Sequence, residues 1–211
     1  MKKTIASLIS STLLVGCSVV GVRSGTEEPP FEVIGTINND VELRLYGERL
    51  AAEVSMDQSR AGGSENSAFS MLAGYIFGGN RTDTRVAMTA PVAIKLPSET
   101  KSMSTSVGRR QNDGSYTMRF FLPESYSIDT APIPMNEKIK LVTIPSETIA
   151  AIRFSGWRNQ EAVSKHKKLL MQTLEASNWL AMSDPFTFAY DPPWTAPFLR
   201  RNEVAVVISQ R

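Results

Sequence analysis

The chain has 211 residues but only one cysteine, Cys17, and one histidine, His166. Structural zinc sites and iron–sulfur clusters take several ligands from these two types, so single copies exclude both, and a disulfide framework with them. The lone imidazole lies among Lys165, Lys167 and Lys168 with no spacing signature around it, so a Ser-His-Asp triad has no support. Charge of one sign is also missing: 23 basic residues face 21 acidic ones, and no basic run occurs. Nucleic acid as a partner therefore has no electrostatic basis. What is present is a 42% hydrophobic, 21% charged chain, enough for one globular domain with a sizeable core.

No apolar run is long enough to span a bilayer as a helix. The longest, Ile5 to Val15, has eleven residues and follows Lys2 and Lys3, which reads as a signal peptide over 1–16. It ends in Leu14-Val15-Gly16-Cys17, which resembles a bacterial lipobox, so Cys17 is expected to carry a diacylglyceryl group. Acylation would also remove a reactive thiol. Loss of Lys2 and Lys3 with the leader leaves equal numbers of basic and acidic residues, so membrane attachment would rest on the lipid alone. The expected location is the bacterial cell envelope. Ser18 after the cysteine, rather than aspartate, favours the outer membrane facing the periplasm in a diderm. Residues 17–31, with Gly21, Gly25, Pro29 and Pro30, read as a lipidated tether, and 32–211 as the domain.

Val41, Leu43 and Leu45 alternate with polar neighbours, and an apolar pattern resumes after Gly47 through Leu50 to Val54, predicting one long bent strand. A helix follows, capped by Ser64 or Asn66 and stopped by Gly78-Gly79-Asn80. One stripe of it, Phe69, Leu72, Ala73 and Ile76, suffices to cover a sheet. A second stripe, Ala68, Met71 and Tyr75, is left for a loop, a partner or a ligand, although core packing is the commoner fate of such residues. Val86 to Leu96, broken by Pro91, and Tyr116 to Leu122 form a hairpin with a long Ser/Thr-rich tip and an Asn112-Asp113-Gly114 turn. The second half repeats the first: a long bent strand from Lys138 to Ser155, a helix from about Asn159 to Ser177, and strands from Phe186 to Tyr190 and Glu203 to Ser209. Ile149-Ala150-Ala151 echoes Leu50-Ala51-Ala52. Each half is thus strand, helix, strand, strand.

Between the last two strands lies Tyr190-Asp191-Pro192-Pro193-Trp194-Thr195-Ala196-Pro197-Phe198-Leu199-Arg200-Arg201-Asn202-Glu203. Three prolines make it a stiff extended loop, and Trp194 and Phe198 on it either close a core or line a pocket. This run, with Val86-Ala87-Met88-Thr89-Ala90-Pro91-Val92 and Ala73-Gly74-Tyr75-Ile76-Phe77-Gly78-Gly79-Asn80, resembles the SOUL family of haem-binding proteins over about Val33 to Ser209. The resemblance implies an α+β fold, a distorted antiparallel β-barrel with two flanking helices built from a pseudo-twofold repeat. It also implies a haem or other tetrapyrrole held in an apolar cleft without an obligatory axial histidine. The expected site joins Ala68, Met71 and Tyr75 to Trp194 and Phe198. Arg200 or Arg201 would be a propionate partner, or else an internal ion pair with Asp191 or Glu203. Met71 and Met88 are candidate thioether ligands, although buried methionines are ordinarily flexible core filler. The repeat also resembles the effector-binding domains of multidrug-responsive regulators, some relatives of which are hydrolases, for which Glu53 and Tyr75 are first candidates. A groove that binds only another envelope protein is the third reading.

Overall fold

The computed structural model describes residues 25–57, 65–95 and 115–211. The leader, Cys17, the first part of the tether, the Ser64 cap and the Ser/Thr-rich hairpin tip lie outside the described residues. The strands are β1 (Phe31–Ile37), β2 (Val41–Tyr46), β3 (Arg49–Asp57), β4 (Val92–Lys95), β5 (Ser115–Phe121), β6 (Ile139–Ile144), β7 (Glu147–Phe154), β8 (Trp179–Ala181), β9 (Phe186–Ala189) and β10 (Asn202–Gln210). The helices are α1 (Glu65–Ile76) and α2 (Gln160–Glu175).

Both long bent strands are in fact pairs of strands. Gly47-Glu48 separates β2 from β3, and Pro145-Ser146 separates β6 from β7. The cause is tertiary: β2 pairs with β7 whereas β3 pairs with β5 and β6, so the chain must leave one neighbour for another at each corner. Ser146 Oγ donates to the Tyr46 carbonyl at 2.8 Å and ties the two corners together. Two further strands were not expected. β1 has a register shift between Val33 and Gly35 and is largely exposed, so it lacks clean alternation, and β8 is three residues long. The tether reading is also corrected for its described portion. The Ala90 amide donates to the Glu27 carbonyl at 2.9 Å, the Glu27 carboxylate accepts from the Glu124 amide at 2.7 Å, and Glu28 pairs with Arg201 at 3.2 Å. These bonds dock residues 25–31 on the body.

Along one path the sheet runs β1-β2-β7-β10-β9-β4-β5-β3-β6, every pair antiparallel, with β8 on β10. Matching β2, β3, β4 and β5 to β6, β7, β9 and β10 turns the order from β2 to β6 into its own reverse. The fold is therefore the α+β repeat, with its pseudo-twofold between β4 and β9. The Leu50-Ala51-Ala52 echo is one residue out of step, however. Leu50, Ala52 and Val54 pack with α1, and it is Ala150, Ile152 and Phe154 that pack with α2, while Ile149 joins Ala51 on the other face.

Side chains alternate across a strand, so one face of the curled sheet carries both helices and the other carries a third cluster of Tyr46, Ala51, Ala93, Phe121, Phe188 and Ala205. The helix ends follow local chemistry. Asn159 caps α2 by accepting from the Ala162 amide at 2.9 Å. Gly78 at φ +114° and Gly79, whose amide reaches the Gly74 carbonyl at 2.8 Å, close α1 in a Schellman motif. A Cβ on Gly79 would meet that carbonyl oxygen at 2.7 Å.

Candidate functional site

On the helix-covered face a cavity of about 730 Å³ lies over the pseudo-dyad. Its floor is Val92 and Ile94 of β4, Met118 of β5 and Ala189 of β9. Its walls are the first turns of α1, the approach to α2 at Trp157 and Arg158, and the proline loop. Phe69, Phe77, Met88, Trp157 and Trp194 give it a broad apolar and aromatic surface, and Thr26 from the docked N-terminal segment reaches its rim.

The loop is held by its own backbone. The Thr195 amide donates to Pro192 O at 3.1 Å, and a single 3₁₀ turn at Pro197–Leu199 presents Pro197 O to the Gly156 amide at 2.9 Å. Arg200 lies along it, donating from Nε to Thr195 O at 2.8 Å and from Nη2 to Pro193 O, with its guanidinium 4.6 Å from the Trp157 ring centroid. Such a stack fixes both the cation and the indole.

The loop's roots are set in a buried ionic network on the opposite face. Glu203, 0% exposed, accepts from Arg44 at 2.6 Å, from the Tyr190 hydroxyl at 2.9 Å and from Arg201 at 2.9 Å. Arg201 also lies 3.7 Å from the Tyr190 ring centroid, and its backbone amide donates to Asp191 at 2.6 Å. Burial would raise the Glu203 pKa, but the bonds and field of Arg44, followed by Arg201 and Tyr190, hold it below the ordinary value. Burial, reinforced by the charge of Glu203, raises that of Tyr190. The network thus stays ionised around a protonated phenol.

The expected site residues divide. Trp194 and Arg200 line the cavity; Ala68, Met71, Tyr75, Phe198 and Arg201 are not among its lining residues. Ala68 and Tyr75 are buried in the core beneath α1, and Met71 packs against that core. The Tyr75 hydroxyl donates to Pro132 O at 2.9 Å, and burial pushes its pKa up to about 12. Phe198 is 76% exposed beside the cavity, and Arg201 is committed to Glu203 and Glu28. The reason lies in the phase of α1: Ala68, Leu72, Tyr75 and Ile76 face the sheet, which turns Phe69 to the cavity. The period fits either phase, and the small Ala68 with a satisfied Tyr75 decides it. Met88 does line the cavity, whereas His166 stacks on Phe154 at 4.3 Å with Nδ1 2.7 Å from Ala162 O. Glu53 pairs with Arg119 at 2.6 Å on the face opposite Tyr75, so the hydrolytic pair is not brought together. Phe77, Trp157, Arg158 and Glu65 were missed. For Phe77 and Trp157 the signal was an aromatic at a helix boundary, Phe77 before the glycines and Trp157 before the Asn159 cap; Arg158 and Glu65 carried none.

Among solved structures the fold resembles an uncharacterized conserved protein from Listeria innocua (TM-score 0.58, 14% identity, 81% of this chain and 92% of that one). It also resembles a hydrolase from Listeria innocua (TM-score 0.56, 13%, 82% and 93%) and the EcmrR C-terminal domain (TM-score 0.55, 12%, 81% and 98%). At these identities the likeness is one of fold alone. In sequence, heme-binding protein 1 of Mus musculus is 28% identical over 135 residues, 63% of this chain and 65% of the mouse protein. Heme-binding protein 1 of Sus scrofa is 25% identical over 134 residues, with 63% and 65% covered. The chain thus spans just under two thirds of the length of the curated relatives that it matches. A family model described as SOUL heme-binding protein matches residues 26–207, and with that span the chain belongs to the SOUL heme-binding family.

Proposed function

We propose that this protein binds haem or a related flat tetrapyrrole in the cavity over the pseudo-dyad. One observation carries the reading: about 730 Å³ of space walled by Phe69, Phe77, Trp157 and Trp194 on stiff supports, within the roughly 300–1,000 Å³ of small-molecule sites. Flat aromatic walls match a macrocycle face, and their preset positions keep the ordering cost low. Arg200, already fixed against Trp157, is the cation that would meet a propionate. Haem when bound supplies an iron centre whose properties follow its axial ligands. The chain's own contribution is apolar coverage, with Met88 as a thioether on the lining and His166 away from it. The names of the mouse and pig relatives and of the family point the same way.

Within this reading Cys17 carries a lipid that holds the protein at the bacterial cell envelope, at the outer membrane in a diderm. The lipobox motivates it. Thr26 on the cavity rim is nine residues later, a reach of at most about 30 Å, so the ligand site would stay near the membrane. Fractionating cells that express Cys17→Ser should find the protein released from membranes; unchanged membrane association of the full-length chain would refute the anchor.

The binding reading is tested by titrating the protein with haemin and with an iron-free porphyrin. Both should bind within a few-fold of each other, and Phe69→Asp should weaken both at least tenfold, since it sets a charge on a surface to be covered. A requirement for iron would make axial ligation rather than apolar coverage the source of affinity, and full affinity in Phe69→Asp would place the ligand elsewhere.

A further inference from the structure

A second cavity, of about 120 Å³, lies on the other side of the same sheet. The period-two rule separates the two: Val92, Ile94, Met118 and Ala189 point into the larger one, and Ala93, Lys95, Thr117, Arg119 and Phe188 into the smaller. β4, β5 and β9 are a wall one strand thick between them.

The smaller cavity has an apolar floor and a cation. Ala93, Phe121, Phe186, Phe188 and Val207 supply the floor. Arg49, 7% exposed, lines one side. Of its five N–H donors one is bonded, from Nη2 to Glu147, while the guanidinium lies 4.2 Å from the Tyr46 ring centroid and 5.1 Å from that of Phe121. Its Nε is buried with no hydrogen-bond partner among the described residues. Burial pulls the guanidinium below its ordinary pKa against the field of Glu147, and Arg119 adds to the lowering. A buried arginine with most of its donors unused is costly unless something completes it. Glu147 lines the same cavity and balances the charge of Arg49 without using its other donors. The other cations on the lining, Arg119 paired with Glu53 at 2.6 Å and Lys95 with Asp184 at 4.0 Å, are open to solvent, which meets their remaining donors. Among the described residues on this lining, Arg49 is the cation that is buried with donors left over.

We propose that this cavity is a second binding site, for a small organic carboxylate whose acid group meets the Arg49 guanidinium and whose apolar body covers Phe121, Phe186 and Phe188. A planar carboxylate matches the guanidinium fork, whereas an inorganic oxyanion would leave the aromatic floor uncovered. The volume equals the liquid share of about four waters, room for one ring or a short alkyl chain and too little for a tetrapyrrole. The site is independent of haem binding.

Calorimetric titration of the full chain with benzoate, benzamide and inorganic phosphate decides it. Benzoate should bind at one site, at least tenfold tighter than its neutral amide or phosphate, and should bind equally in protein saturated with haemin. Ala93→Leu fills the cavity and leaves Arg49 and Glu147 in place; it should weaken benzoate at least tenfold with haemin affinity unchanged. Arg49→Lys, which keeps the charge and loses the fork, should do the same, and if it does not fold, Ala93→Leu alone decides. Equal binding of benzamide, tighter binding of phosphate, displacement by haemin, persistence in Ala93→Leu or no benzoate heat at all would each overturn the proposal. The haemin titration reports separately on the larger cavity.

Discussion

Glu65 at the start of α1 and Arg158, two residues before α2, are 93 positions apart in sequence and form an ion pair on the wall of the larger cavity. It joins the two halves of the repeat across the cavity wall. Glu65 is half-exposed, so solvent screens the pair and its worth is about 0–1 kcal/mol. Arg158→Ala should therefore shift the urea midpoint little while raising both the association and dissociation rates of haemin in stopped flow. Unchanged rates would mean that entry lies elsewhere.

Glu203 is the opposite case. Replacing it with Gln leaves Arg44 and Arg201 facing each other without their shared carboxylate, a loss of about 3–5 kcal/mol typical of broken buried pairs. Because its pKa in the folded state is depressed, its stabilisation is present above the ordinary carboxylate range and is lost as pH falls through the folded value. Denaturation midpoints of wild type and Glu203→Gln should converge as pH is lowered below about 4. Parallel profiles would show that the network contributes no pH dependence.

Three aromatic or imidazole substitutions separate the cavity from its surroundings. Trp194→Ala should weaken haemin at least tenfold, about 1.4 kcal/mol, since the indole forms part of the wall. Phe198→Ala and His166→Ala should change affinity by less than about threefold, roughly 0.7 kcal/mol. His166→Ala should instead cost about 0.5–1.5 kcal/mol of stability through the lost stack on Phe154. Loss of haemin binding in His166→Ala would make axial ligation the cause of affinity.

Tyr75→Phe removes the hydroxyl bonded to Pro132 O and leaves that carbonyl unpaired, at a cost of about 1–3 kcal/mol. Thermal unfolding should record the loss while the haemin titration stays as in wild type. A matched fall in affinity would bring Tyr75 back into the site.

The parts of this fold that could be read in advance are those in which one residue type has one local use. A helix beginning near Asn159, Gly78-Gly79 as a stop, and the strands β5, β9 and β10 follow from such chemistry. The splitting of β2 from β3 and of β6 from β7 could not be read, because it depends on which distant strand each segment meets. The same holds at the cavity. Proline stiffness marked the loop and Trp194, but the phase of α1 is chosen by packing beneath Ala68 and by a carbonyl 57 residues from Tyr75. Arg200 and Arg201 are adjacent and chemically identical, yet the loop carbonyls of Pro193 and Thr195 hold the first and Glu203 the second.

The reversed strand order has a consequence for how the molecule comes together. β2·β7 and β3·β6 both join opposite halves, as does β4·β9, so neither half of the chain carries a complete sheet of its own. The halves are interlocked rather than juxtaposed. A polypeptide cut in the exposed Glu124–Thr130 connection should therefore give two fragments that are each unfolded alone and regain structure only when mixed. By the same geometry, a half-length chain could have built the larger cavity only by exchanging strands with a copy of itself, and fusion of the two copies would have freed each wall to change independently.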